Sequence, residues 1–110
     1  MKREDRKAAI AAYKERKVVA GIYAVRCVST GQCWIGRAPD LSTIQNQLWF
    51  TLRQGSSPHR SLQEAWRTHG MDAFTFGTVE RLEEDDALLR DLLLRDRLAH
   101  WRAAMGAEAL

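Results

Sequence analysis

The chain has 110 residues, enough for one domain with a single hydrophobic core that needs neither a disulfide nor a metal ion. Its 45% hydrophobic and 28% charged residues are ordinary for a globular protein, and no apolar run reaches the roughly 20 residues that span a bilayer. The charged N-terminus lacks the apolar stretch of a signal peptide, so the expected compartment is the cytoplasm.

Positive charge is concentrated in the first part of the chain. Residues 1–71 contain 12 Lys/Arg and 5 Asp/Glu, whereas residues 72–110 contain 5 and 9. Every cation after Lys17 is an arginine, whose planar guanidinium suits bidentate contact with phosphate. This distribution permits a polyanionic partner but does not require one.

The N-terminal segment is predicted to be a helix. Residues 2–17 consist mostly of alanine and other strong helix formers, and Ala9, Ile10 and Tyr13 recur at helical spacing. The apolar stripe is narrow and the rest of the surface is mainly basic. We therefore expect an N-terminal helical extension, residues 1–17, that packs on the domain edge rather than forming a nucleic-acid arm, with a homodimer contact as a further alternative.

A β-hairpin is predicted next. Two β-rich runs, Val18 to Val28 and Cys33 to Ala38, flank the polar residues 29–32, which are typical of a turn. If Val28 pairs with Cys33, the thiols of Cys27 and Cys33 lie on opposite faces. A disulfide is then not expected, and two cysteines alone do not make a zinc site.

Two helices follow the hairpin. Leu41 to Gln54 is apolar at helical spacing, with Asp40 or Ser42 able to cap its start and Gly55 ending it. A further helix is expected from His59 to His69, closed by Gly70.

A strand and a long helix complete the domain. The strand, Ala73 to Leu82, places Phe74 and Phe76 on one face. The acidic residues 83–86 are expected to form the first turn of a helix that runs to Met105 and ends at Gly106. The residues expected to face inward on that helix are Leu88, Leu89, Leu92, Leu93 and Trp101. The element order predicts an α+β domain around an antiparallel sheet, residues 18–105, with a C-terminal tail, residues 106–110.

One pair of motifs resembles a known family. Gly21-Ile22-Tyr23, ten residues and then Trp34-Ile35-Gly36 resemble the defining motif of the GIY-YIG nuclease superfamily, whose second half is normally Tyr-Ile-Gly. Residues 37–41 are similar to the family's link into its first helix, and residues 62–76 resemble its His-Gly turn before a strand with phenylalanines. The resemblance implies a three-stranded antiparallel sheet flanked by helices, to which this chain adds the N-terminal helix.

The resemblance also implies metal-dependent hydrolysis of a DNA phosphodiester, with Mg²⁺ or Mn²⁺ as the cofactor. Tyr23 then corresponds to the tyrosine that activates or positions the attacking water. Trp34 takes the place of the second tyrosine, and its indole N–H can donate to phosphate but cannot ionise. Arg37 is expected to contact phosphate, and His59 lies near a position where some relatives have an active-site histidine.

Three further family positions depart from this pattern. The helix arginine that stabilises the transition state corresponds to Ile44, and the histidine one turn later corresponds to Leu48. Arg53 is about half a turn round the helix from Ile44 and is a poor substitute. The metal-binding glutamate corresponds to Leu98, which leaves Asp96, with His100 one turn later, as the nearest candidate metal ligand.

Three hypotheses therefore stay open. The chain is a divergent nuclease, a catalytically degenerate domain that keeps nucleic-acid or protein binding, or an interaction module that uses its N-terminal helix. Whether it is an enzyme is not decided by the residues. DNA is the expected partner, with other nucleic acids as alternatives, and the arginines expected to contact it are Arg26, Arg37, Arg53, Arg60 and Arg67. Asp91 and Arg95 are expected to form an ion pair within the last helix.

Overall fold

The computed structural model describes residues 18–110, so the predicted N-terminal helix and any dimer contact through it lie outside the described residues. The described part is an α+β domain, which confirms the predicted class. Its elements are β1 (Ala20–Cys27), β2 (Cys33–Ala38), α1 (Leu41–Gln54), α2 (Arg60–His69), a 3₁₀ turn (Met71–Ala73), β3 (Phe74–Leu82), α3 (Ala87–Met105) and β4 (Glu108–Ala109).

The sheet has four strands rather than the three expected. The strand order is β3-β1-β2-β4, with β1 antiparallel to both β2 and β3 and β4 parallel to β2. The short β4 lies within the segment expected to be a tail, and the backbone N–H of Leu110 donates to the Ile35 carbonyl at 2.7 Å. A strand of two residues has no periodicity from which a sequence could predict it.

The register of the hairpin differs from the prediction. Arg26, not Val28, lies opposite Cys33. The backbone N–H of Val28 donates instead to the carbonyl of Ala73 at 2.8 Å, which takes this residue away from β2. Cys27 is buried and Cys33 is half-buried in a different apolar cluster, and both thiols are free, as expected.

Each face of the sheet is covered by different helices. On one face, α1 and α2 pack through Leu48, Leu52 and Leu62 against the side chains of alternate strand residues. We call this the aromatic face because six rings meet there: Tyr23, Trp34, Trp49, Trp66, Phe74 and Phe76. On the other face, the α3 face, Leu94 packs against Ala20, Ile22, Ile35 and Ala107.

The ends of α1 and α2 follow the predicted signals. Asp40 caps α1 by accepting a hydrogen bond from the Ser42 backbone N–H at 2.9 Å. Gly55 ends this helix in the left-handed conformation at φ 72°, which only glycine adopts without strain. His59 immediately precedes α2, and Gly70 follows it.

The start of α3 differs from the prediction. Residues 83–86 do not form its first turn, because the carboxylates of Glu84 and Asp86 bind backbone N–H groups and hold the chain outside the helix. Glu84 accepts from the Asp86 N–H at 3.1 Å, and Asp86 caps the helix by accepting from the Leu89 N–H at 3.0 Å. The helix therefore begins at Ala87.

The inward side of α3 was also predicted wrongly for three leucines. Leu88, Leu89 and Leu92 are 73%, 44% and 56% exposed, whereas Leu94 is 3% exposed. Leu98, Trp101 and Met105 pack with Leu94 on the α3 face of the sheet. Because α3 carries leucines on both sides, helical spacing alone does not indicate which side meets the sheet. Within residues 18–110, no helix has the length and apolar character that crossing a membrane requires.

Candidate functional site

The two motif aromatics lie on the same face of the sheet. Tyr23 is opposite Gly36, and Val25 is opposite Trp34. Tyr23 and Trp34 are therefore diagonal neighbours on adjacent antiparallel strands, a relation that separates side chains by roughly 7–8 Å. The motif thus places both aromatic side chains on the aromatic face.

Tyr23 is almost completely packed. It is 4% exposed, and its ring stacks on Phe76 with 5.3 Å between centroids. Burial raises the pKa of the phenol above its ordinary value of 10.0, so the hydroxyl stays protonated at neutral pH. The hydroxyl forms no hydrogen bond with residues 18–110 but keeps some contact with solvent. An ionised Tyr23 acting as a base is therefore disfavoured by its surroundings.

Both motif glycines are required by the packing of the protein itself. A Cβ at Gly36 would overlap the Tyr23 hydroxyl and ring, so this glycine makes room for the tyrosine. A Cβ at Gly21 would overlap the backbone carbonyl oxygen of Glu80 on β3. The two glycines thus allow a ring and a neighbouring strand to approach the hairpin closely.

Trp34 is fixed by partners within the protein. It is 1% exposed and stacks on Phe74 with 6.1 Å between centroids. Its indole N–H donates to Ser61 Oγ at 2.9 Å and to Glu108 Oε2 at 3.0 Å, and the Ser61 hydroxyl also donates to Glu108. Contact between Trp34 and a phosphate or base stays a prediction, and it would require displacement of both partners. Glu108 was missed from the sequence because it lies in the segment expected to be a tail.

The helix above Tyr23 presents an apolar surface. Leu48 is 7% exposed in the core of the aromatic face, and Ile44 packs against that core. Arg53 lies elsewhere, with its guanidinium Nη2 3.9 Å from the sulfur of Met71. The two positions to which the resemblance assigns an arginine and a histidine therefore contribute to hydrophobic packing.

Arg37 does not share a face with Tyr23. It lies opposite Ile22, a residue of the α3 face, because partners in an antiparallel pair point to the same side of the sheet. Its side chain is exposed. Contact between Arg37 and phosphate stays a prediction, but it would involve a different side of the sheet from Tyr23.

The resemblance implies a divalent cation, for which Asp96 and His100 are the candidate ligands. Asp96 and His100 are both exposed on α3, and His100 contacts the Trp101 ring edge-on. Since α3 covers the face opposite Tyr23, these two donors do not fit a metal centre that acts together with Tyr23. Residues 18–110 contain no group of three or more His, Cys, Asp or Glu side chains arranged to hold a metal ion.

His59 lies at the start of α2. Its side chain is half-buried and does not cap the helix, while its backbone N–H donates to Ser57 Oγ at 3.2 Å. Ser61, two residues later, contacts Trp34, so this end of α2 lies beside β2. The assignment of His59 to an active site stays a prediction.

The five arginines expected to bind nucleic acid occupy different surfaces. Arg26 and Arg37 extend from the α3 face, and Arg60 pairs with Glu64 at 4.0 Å on the surface of α2. Arg67 Nη2 lies 3.3 Å from the position that a Cβ at Gly55 would take, which places it beside the C-terminal end of α1.

Arg53 and Arg67 therefore lie around the same helix end, and we call this region the α1-end surface. Phe50, one turn before Arg53, is 59% exposed and belongs to it. The sequence alone gave no reason to single out Phe50.

A polar contact between the sheet and α3 was also missed. Glu80 Oε1 accepts hydrogen bonds from Arg97 Nε at 2.6 Å and Trp101 Nε1 at 2.7 Å. These bonds, first that of Trp101 and then that of Arg97, hold the pKa of Glu80 below its ordinary value of 4.5. The expected ion pair of Asp91 and Arg95 does not form. Arg97 on α3 instead pairs with Glu80 on β3.

The fold is similar to that of two solved structures of one endonuclease domain. The catalytic domain of the intron endonuclease I-TevI, as a mutant, has a TM-score of 0.69 and 19% identity, covering 80% of this chain and 84% of that one. The catalytic domain of the homing endonuclease I-TevI has a TM-score of 0.67 and 20% identity, covering 83% and 97%. No family model matches the chain, and the search of curated proteins finds no match.

These similarities confirm the GIY-YIG-like fold that the hairpin motif led us to expect. What the chain does on this fold is a separate question, because activity depends on the side chains of a site.

Proposed function

We propose that this chain is a nucleic-acid-binding domain on a GIY-YIG-like fold and that it does not hydrolyse phosphodiesters. The observation that carries the proposal is the packing of the aromatic face, where Tyr23 and Trp34 are 4% and 1% exposed. The helix position that corresponds to the stabilising arginine is Ile44, which packs on the same core. A phosphoryl group placed there would lack the preorganised positive charge on which such catalysis depends.

The α1-end surface supports the binding part of the proposal. Arg53 and Arg67 can each contact phosphate oxygens, and Phe50 offers an exposed ring on which a base can stack. Each arginine lies in the last turn of its helix, where a cation also offsets the helix dipole. That role does not account for an exposed phenylalanine beside them. The similar structures are named as domains of a homing endonuclease, so DNA is the first ligand to test.

Binding is tested by fluorescence anisotropy with short labelled single-stranded and duplex DNA over a range of salt concentrations. We expect affinity to fall steeply with salt, with a log-log slope near 0.9 per duplex phosphate contact. The double variant Arg53→Gln, Arg67→Gln should bind at least about tenfold more weakly. The magnitude of its salt-dependence slope should decrease by the contribution of about two phosphate contacts. Arg60→Gln is the matched control, since it removes an α2 arginine that already has an ion-pair partner.

Absence of salt-dependent binding to either DNA would overturn the proposal and favour a protein-interaction module. If Arg26→Gln with Arg37→Gln abolished binding instead, the nucleic acid would bind at the α3 face.

Hydrolysis is tested separately with plasmid and branched DNA in the presence of Mg²⁺ or Mn²⁺. We expect no cleavage above that of a buffer control by either the wild type or Tyr23→Phe. Cleavage by the wild type that Tyr23→Phe abolishes would show that the site is active and that only the binding part of the proposal stands.

A further inference from the structure

The outer side of α3 has an apolar patch that the described residues do not cover. Leu88, Leu89 and Leu92 are 73%, 44% and 56% exposed, and we call them the leucine face. They lie roughly half a turn round the helix from Leu94, which is 3% exposed against the sheet. A helix that is apolar on opposite sides is typical of one that packs against two neighbours.

The described part of the chain begins at the end of the sheet near the leucine face. Ala20, the first residue of β1, pairs with Leu82, the last residue of β3. The chain continues from Leu82 through residues 83–86 directly into α3, so the start of β1 lies close to the start of that helix. The carbonyl of Val19 is held by the Leu41 backbone N–H at 2.9 Å, which fixes this entry point.

The composition of the N-terminal segment matches the leucine face. Ala9, Ile10 and Tyr13 share one side of a predicted helix, and 17 helical residues would span about 25 Å, more than the two turns that carry the leucines. Residues 1–17 contain seven Lys/Arg and three Asp/Glu, whereas residues 83–96 contain six Asp/Glu and two Arg. Apolar residues on both segments are thus accompanied by charges of opposite sign.

We propose that residues 1–17 dock as a helix on the leucine face of the same chain, with Ile10 and Tyr13 against Leu88 and Leu92. The apolar contact removes the three leucines from water, and the basic residues of the segment face the acidic run before α3. The segment thus forms an additional layer outside α3. The proposal is independent of any nucleic-acid binding, because the α1-end surface lies on the other side of the sheet.

The contact can be measured directly by NMR on the full chain with ¹³C-labelled leucine methyl groups. We expect nuclear Overhauser effects (NOEs) between the Tyr13 ring protons and the methyl groups of Leu88 and Leu92. These NOEs should disappear in Ile10→Gln and persist in Ala8→Gln, which places the same side chain on the opposite side of the predicted helix. Leu92→Gln tests the contact from the α3 side, and its exposed position makes this variant compatible with an intact core.

Two results would overturn the proposal: no Tyr13–leucine NOE in the wild type, or NOEs that survive both Ile10→Gln and Leu92→Gln. A sample that mixes labelled and unlabelled chains separates contacts within one chain from contacts between chains. NOEs found only between chains would show that a second copy covers the leucine face, which also contradicts docking within one chain.

Discussion

The two faces of the sheet are packed by different kinds of interaction. On the aromatic face, rings pack against rings, as in the pair of Trp49 and Trp66 with 5.4 Å between centroids. On the α3 face, aliphatic residues such as Ile22 and Leu94 form the cluster, and Glu80 joins the sheet to the helix through Arg97 and Trp101. The face that carries the motif aromatics is thus filled by hydrophobic packing, while a charged contact within the fold lies on the opposite face.

The largest loss of stability is expected when an aromatic side chain is removed from the aromatic face. Trp34→Ala should lower the free energy of unfolding by about 3–5 kcal/mol, because it leaves a large cavity and removes the donor to Ser61 and Glu108. Chemical denaturation followed by circular dichroism measures this, with Ile35→Val on the other face as the comparison at about 0.5–1.5 kcal/mol. Equal losses at the two positions would show that the aromatic face is not the more heavily packed one.

A second effect concerns the space that Gly36 leaves for Tyr23. Gly36→Ala should destabilise the fold by about 1–3 kcal/mol, because its Cβ would overlap the tyrosine ring. In the background of Tyr23→Leu, the same substitution should cost less, and a double-mutant cycle measures the difference. Additive losses would indicate that the backbone of β2, rather than the ring, resists the substitution.

The contact of Glu80 with Arg97 and Trp101 on the α3 face should contribute less to the free energy of unfolding than the packing of Trp34 or Tyr23. Glu80→Gln weakens the acceptor for Arg97 and Trp101, and we expect a loss of about 1 kcal/mol at neutral pH, since solvent partly screens the pair. Because folding lowers the pKa of Glu80, its stabilisation is present above the ordinary pKa of 4.5 and is lost as the pH falls through the folded value.

Denaturation of wild type and Glu80→Gln at several pH values checks this. The stability difference should be constant above about pH 5.5 and shrink below pH 4.5. A difference that does not change with pH would mean that the contact acts through packing rather than charge.

The smallest effect is expected from Tyr23→Phe. The hydroxyl forms no hydrogen bond with the described residues, and the ring remains stacked on Phe76. The free energy of unfolding should therefore change by less than about 0.5 kcal/mol. A larger loss in thermal or chemical denaturation would reveal a partner for this hydroxyl outside residues 18–110. A small loss makes this variant a clean probe of activity.

Much of the fold was predictable because local signals agreed with each other. The turn between two β-rich runs, the cap at Asp40 and the glycines after α1 and α2 act through neighbouring residues, so they could be read from the sequence. The register of the hairpin places Tyr23 and Trp34 on one face of the sheet, since alternation along a strand is fixed by the backbone.

What the sequence could not determine depended on contacts between distant residues. The partners of Trp34 are 27 and 74 residues away, and β4, which supplies one of them, is too short to have a pattern. The outer leucines of α3 have the same spacing as the inner ones, so only the position of the sheet distinguishes them.

The sequence by itself determined the order of the helices and long strands from β1 to α3, the hairpin motif and the apolar residue at position 44, because each is a property of residue identity and local spacing. The tertiary structure decided that Tyr23 and Trp34 are packed rather than open, and that Arg37 and Asp96 lie on the opposite side of the sheet from Tyr23. Burial and convergence on one cleft depend on how helices cover each face, which is set by the packing of the whole chain.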